Sequence, residues 1–150
     1  MKRRALLLML PLALATCGGP KPPPPAVLDL TIIGGATQNP ETDGHPAPVS
    51  IRIYQLGAAG GFQQADIFAL LQRETATLGQ DLLGAETLTV TPGQTLHVHR
   101  QLKPGTQFLG AAVLFRDIDH AQWRGLAPVA ASGPTALTLK TDKLSMTLSP

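Results

Sequence analysis

Leu28, Leu30 and Ile32 alternate with Asp29 and Thr31, which predicts a strand with one buried face. Val49, Ile51 and Ile53 alternate with Ser50 and Arg52 and predict a second. Between them, Gly34 to Pro48 has no apolar period and collects Gly, Asn-Pro, Asp-Gly and two further prolines, the signals of a long loop. Gly57 to Gly61 ends the second strand. Asp66 is placed to cap a short helix in which Ile67, Phe68, Leu70 and Leu71 share one face. Leu78 to Leu83 fits either a turn or a second helical turn. Leu88 and Val90 flank Thr89, and Leu96 and Val98 alternate with His97 and His99, so two strands meet around Pro92-Gly93. After the Lys103-Pro104-Gly105 turn, Phe108 to Phe115 is nearly all apolar, as expected of a central strand buried on both faces. Leu137 and Leu139, then Leu144, Met146 and Leu148, predict a closing hairpin around Thr141-Asp142.

About seven strands with regular turn signals and little helix indicate an all-β fold. The expected form is a two-sheet antiparallel β-sandwich with a short helical insertion between strands 2 and 3. Its core is expected to include Leu30, Ile32, Val49, Ile51, Ile53, Val98, Ala111, Val113, Phe115, Leu137, Leu139 and Met146.

The N-terminus changes the picture. Lys2-Arg3-Arg4 precedes an apolar run from Ala5 to Ala15. As a helix that run spans only about 16 Å, too little for a hydrocarbon core of roughly 30 Å. Residues 1–16 therefore read as a secretory signal peptide. Leu14-Ala15-Thr16-Cys17 has the order of a bacterial lipobox: an apolar residue, two small residues, then cysteine. Thr16 departs from the usual Gly, Ala or Ser. Cys17 is the one cysteine of the chain, so an internal disulfide is excluded and lipidation is the expected fate of its thiol. Gly18-Gly19-Pro20-Lys21 and the four prolines to Pro25 make residues 17–27 a flexible-to-stiff tether. The remaining domain spans 28–150. Residue 18 is Gly rather than the Asp that retains lipoproteins in the inner membrane, which points to a lipid anchor in the outer membrane, on its periplasmic face.

Charge then excludes a class of partner. The full chain carries +2, but removing Lys2, Arg3 and Arg4 leaves nine Lys and Arg against ten Asp and Glu. The basic balance belongs to the signal peptide, and no nucleic-acid partner is expected.

Several segments, in order, resemble the TssJ family, the outer-membrane lipoprotein of type VI secretion systems (also called VasD or Lip). They are Asn39-Pro40, Pro48 to Leu56, Phe62, Ala65 to Leu71, Leu78 to Leu83, Pro92-Gly93, Phe115-Arg116-Asp117 and Trp123-Arg124, behind the lipobox. The resemblance implies a transthyretin-like sandwich with added helical elements. It also implies a role in the membrane complex of the secretion machine. There, the lipoprotein binds the periplasmic domain of the inner-membrane protein TssM through the loop between its first two strands. That loop maps onto Gly34 to Pro48 here, so Gln38, Asn39, Glu41, Asp43 and His45 are the expected partner-binding residues. Residues 39–45 supply no alternating apolar face and are expected to be dispensable for folding.

Other polar groups carry bland readings. His97 and His99 project from one face of a strand, but two ligands do not make a metal site, and no metal or other cofactor is expected. Asp117 and Asp119 lack the further oxygen ligands and the glycine of a calcium loop. Arg116 and Arg124 flank the same loop and are expected in ion pairs or backbone hydrogen bonds, and Trp123 reads as a core plug. The chain lacks Gly-x-Ser-x-Gly and any phosphate-binding glycine loop, so no enzyme activity is expected. The alternative function is a lipoprotein whose transthyretin-like sandwich binds a small ligand, for which a deep apolar pocket with convergent polar groups would be required.

Overall fold

A computed structural model of the protein describes residues 18–150. The expected signal peptide (residues 1–16) and Cys17 lie outside the described residues. Among these, strands β1 (Ala26–Gly34) and β2 (Val49–Leu56) are followed by helices α1 (Gly60–Gln64), α2 (Ile67–Gln72) and α3 (Glu74–Leu78). Then come β3 (Leu82–Val90), β4 (Thr95–Gln101), β5 (Phe108–Leu114), β6 (Arg124–Pro128), β7 (Gly133–Asp142) and β8 (Ser145–Ser149). They form two four-stranded sheets in the orders β4-β1-β7-β8 and β3-β2-β5-β6. No helix among the described residues is long and apolar enough to cross a membrane.

The alternating positions meet between the sheets. Leu28, Leu30, Ile32, Val98, Leu137, Leu139 and Met146 face Val49, Ile51, Ile53, Val90, Leu109, Ala111, Val113 and Phe115 in one buried cluster. All twelve expected core residues belong to it. A second cluster lies on the outer face of the other sheet, where Tyr54, Leu56 and Ala112 pack against Phe62, Ile67, Leu70 and Leu78 of the helices. β5 is therefore covered on both faces, which is why its sequence shows no alternation.

Local chemistry sets the helical insertion. Asp66 caps α2 by accepting from the Ala69 amide at 2.9 Å. Arg52 on β2 grips Glu74 at the start of α3 through Nε–Oε2 (3.1 Å) and Nη2–Oε1 (2.6 Å). The Tyr54 hydroxyl donates to the Leu70 carbonyl at 3.2 Å. Two side chains of one strand thus clamp the insertion to the sheet.

The structure departs from several expectations. There are eight strands among the described residues; β6 escapes a periodicity reading because Gly125 and Pro128 interrupt a short edge segment. β1 and β7 run parallel, the one parallel pair within otherwise antiparallel sheets. Leu144 lies in the β7–β8 turn, which falls two residues later than Thr141-Asp142. Leu78 to Leu83 combines the end of α3, a 3-10 turn and the start of β3. Phe68 does not share the buried face of α2 but is 58% exposed. β1 begins at Ala26, two residues before the expected boundary.

Candidate functional site

The two ends of the sandwich differ. Pro25 and Ala26 enter at one pole, where the Pro25 carbonyl accepts from Gly133 and that of Ala26 from Leu102. β1 then carries the chain to the opposite pole, and the loop 35–48 projects there. The loop is held at its base by two buried amides. Gln38 is fully buried; its Nε2 donates to the carbonyls of Val90 (2.9 Å) and Ala47 (3.3 Å), and its Oε1 accepts from the Thr141 hydroxyl. Asn39 adopts φ +46°, a left-handed conformation that asparagine tolerates better than most residues. That turn aims its Nδ2 at the Pro48 carbonyl (2.8 Å) and its Oδ1 at the Arg116 amide (2.8 Å), while its own amide donates to Lys143 (2.7 Å). One residue therefore ties the loop to the start of β2, the β5–β6 loop and the β7–β8 turn. Gly34 and Gly35 allow the close approach, since a Cβ would lie 2.4 Å from the Thr91 carbonyl and 2.2 Å from that of Thr141.

Beyond this base, residues 41–46 are all exposed. The tip closes on itself: Gly44 donates to the Glu41 carbonyl (2.9 Å) and Glu41 to that of His45 (2.8 Å). Asp43 accepts from the His45 amide at 3.0 Å and lies 3.0 Å from its imidazole Nδ1. The His45 amide holds the Asp43 carboxyl below its ordinary value. Beside the tip lie Arg116, Asp117, Asp119 and His120 of the β5–β6 loop, with Asp142 and Lys143 of the last turn, all exposed. The Asp117 carboxylate is 2.7 Å from the His120 imidazole, and this hydrogen bond raises the histidine's pKa. With Glu41 and Asp43, the rim of this pole carries five carboxylates against two fixed cations.

Of the expected partner-binding residues, Glu41, Asp43 and His45 are presented to solvent. Gln38 and Asn39 are corrected: both are buried and fully engaged within the chain, so they shape the loop rather than present its surface. Cys17 is outside the described residues.

The remaining candidates are accounted for structurally. Arg124 donates to the carbonyls of Phe62 (3.0 Å), Gln63 and Ala65 at the end of α1, with its guanidinium 4.4 Å from the Trp123 ring centroid. Trp123 is partly buried against both apolar clusters. His97 and His99 are exposed, with the His99 ring 2.5 Å from Asp29. Among the described residues no three His, Cys, Asp or Glu side chains gather as a metal site. A depression of about 840 Å³ is an open groove where Pro23–Pro25 meet the β4–β5 loop. Its buried polar residue, Thr106, already donates to the Lys103 carbonyl at 2.7 Å.

Comparison with known proteins converges on one family. Residues 26–146 match the family described as Type VI secretion lipoprotein, VasD, EvfM, TssJ. Comparison with curated proteins finds no match. The T6SS lipoprotein TssJ1 from Pseudomonas aeruginosa is similar in structure, with TM-score 0.80 and 28% identity over 84% of this chain and 96% of that one. Lip from Serratia marcescens, a membrane-bound component of the type VI secretion system, shares the fold at TM-score 0.76 and 21% identity, covering 84% and 97%. A chain in the structure of the T6SS protein TssM C-terminal domain (869-1107) from EAEC gives TM-score 0.70 and 26% identity, covering 83% and 98%. With a family match over most of its length and a sandwich of the same architecture, the chain belongs to the type VI secretion lipoprotein family.

Proposed function

We propose that the chain is acylated at Cys17, sits on the periplasmic face of the outer membrane, and docks the periplasmic domain of a TssM-like inner-membrane protein. Residues 1–16 are removed, and residues 17–25 lift the domain from the lipid surface. The contact is the exposed tip of the β1–β2 loop, with Glu41, Asp43 and His45 at its centre. The observation that carries this reading is the loop's construction. A fourteen-residue connection between strands, longer than most, is braced by Gln38 and Asn39 so that a charged tip is held out at the pole opposite the tether. Bracing lowers the ordering cost of binding, as expected of a docking element. The chain of this fold found in the TssM C-terminal domain structure supports the choice of partner.

The test is to replace Glu41 to His45 with a Gly-Ser segment of equal length, leaving Gln38, Asn39 and Ala47 in place. The thermal midpoint should stay near that of the parent. Affinity for the purified periplasmic domain should fall at least tenfold, roughly 1.4 kcal/mol. Unchanged affinity in a folded variant would place the contact elsewhere.

A further inference from the structure

Six exposed tip residues are few for a stable contact, because specific interfaces commonly engage about 20–30 residues a side. If the loop pole docks a protein, an adjoining surface must take part. We infer, resting on the docking function proposed above, that an apolar patch centred on Phe68 is that second surface. Its occupant is an amphipathic segment of the same partner, with apolar side chains flanked by Lys or Arg.

Among the described residues Phe68 is the one large hydrophobic side chain that is exposed, at 58%. It is not isolated. It lines a shallow depression with Ile67, Leu71, Leu114, Phe115 and Ile118, all apolar. Single exposed apolar residues are ordinary, but an aromatic at the centre of an apolar depression has the form of an interface anchor.

Position selects the occupant. Leu114 is the last residue of β5 and pairs with Ser50 at the start of β2, so the patch lies at the loop pole, away from the tether. Ile118 stands between Asp117 and Asp119, and the patch therefore runs directly into the carboxylate-rich rim. An apolar centre beside an acidic edge is complementary to apolar side chains bracketed by basic ones. A lipid surface fits worse, since the patch faces away from the anchored end and its carboxylates would meet anionic headgroups.

The experiment uses the lipidated full-length protein in phosphatidylethanolamine–phosphatidylglycerol vesicles, with the purified periplasmic domain of the cognate inner-membrane protein as probe. Phe68→Ala should weaken binding at least tenfold with an unchanged thermal midpoint, and Phe68→Leu should recover part of the loss. If Phe68→Ala binds as the parent does while the loop replacement abolishes binding, the patch is no contact and the loop reading stands. If Phe68→Ala weakens binding and the loop replacement does not, the patch is upheld and the loop reading falls. If the parent itself does not bind, both fall. A Cys17→Ser chain that associates with the same vesicles in a Phe68-dependent way would overturn the proposal in favour of a membrane contact.

Discussion

Tyr54 is the only tyrosine of the chain, and its phenol is fully buried beneath α2. Burial disfavours the phenolate, and the Glu74 carboxylate adds to this, while Arg52 acts weakly in the opposite direction; the pKa is pushed up to about 12. An alkaline titration followed by tyrosinate absorbance therefore reads one group, and its midpoint in the folded protein should lie near that value rather than near the ordinary value of about 10. Up to the ordinary value both states keep the proton. Above it only the unfolded chain ionises, so stability should decline between pH 10 and 12, by on the order of 2 kcal/mol. Tyr54→Phe should flatten that decline; a folded-state midpoint near the ordinary value would refute the burial of the phenol. Residue-scale roles such as this were poorly legible in the sequence. Gln38 and Asn39 read as ordinary members of a polar loop, because their partners Val90, Arg116, Thr141 and Lys143 lie far along the chain. The core was legible for the opposite reason: alternation is local, and Leu28, Leu30 and Ile32 of β1 and Val49, Ile51 and Ile53 of β2 declare their face within a few residues.

At the scale of elements, the unbroken apolar run of β5 was informative because a strand covered on both faces has no polar phase. The helical insertion was half legible. Asp66 and the spacing of Ile67 and Leu70 revealed α2, but periodicity alone could not say that the sheet covers only part of the apolar arc and leaves Phe68 out. Nor could it find β6, whose membership depends on pairing with β5. Gly110 marks how closely the layers approach. A Cβ there would meet Leu56 Cδ1 at 3.0 Å and the Phe62 ring at 3.0 Å, so these packed side chains must give by a few tenths of an ångström to admit it. Gly110→Ala should therefore lower stability by about 1–3 kcal/mol, the range for overpacking a tight core. Denaturant unfolding should show an earlier midpoint with an unchanged slope. An unaltered midpoint would mean that α1 is not seated on β5 as described.

For the molecule as a whole, the geometry of the two poles connects the proposed anchor to the proposed docking surface. The nine residues of β1 span about 30 Å at roughly 3.3 Å each, from the tether to the base of the loop. The tether adds reach: residues 18–25, five of them proline, extend about 25 Å at roughly 3.1 Å per residue. If Cys17 carries the proposed lipid anchor, the loop tip and the Phe68 patch would stand some 50 Å from the lipid surface, on the side open to the proposed inner-membrane partner. The proline run was legible because it is a linear signal; the opposition of the poles was not, since it depends on the sheet order that places both ends of β1. Anchor and contact should then be separable. A single acyl chain gives marginal membrane binding, so stable attachment requires the several chains that modification of Cys17 would supply. Cys17→Ser should leave the protein unprocessed or shift it from the outer-membrane fraction to the soluble periplasm, and mass spectrometry of the parent should find the lipid on residue 17. Because, among the described residues, the hydrogen bonds that tie the tether to the sheets fall on Pro25 and Ala26, the variant domain should keep its thermal midpoint. Its affinity for the partner's periplasmic domain in solution should also match that of the parent. Secretion should nevertheless fail in cells carrying only the variant, since docking without attachment transmits no link between the two membranes. A variant that still fractionates with the outer membrane would show that attachment does not pass through Cys17.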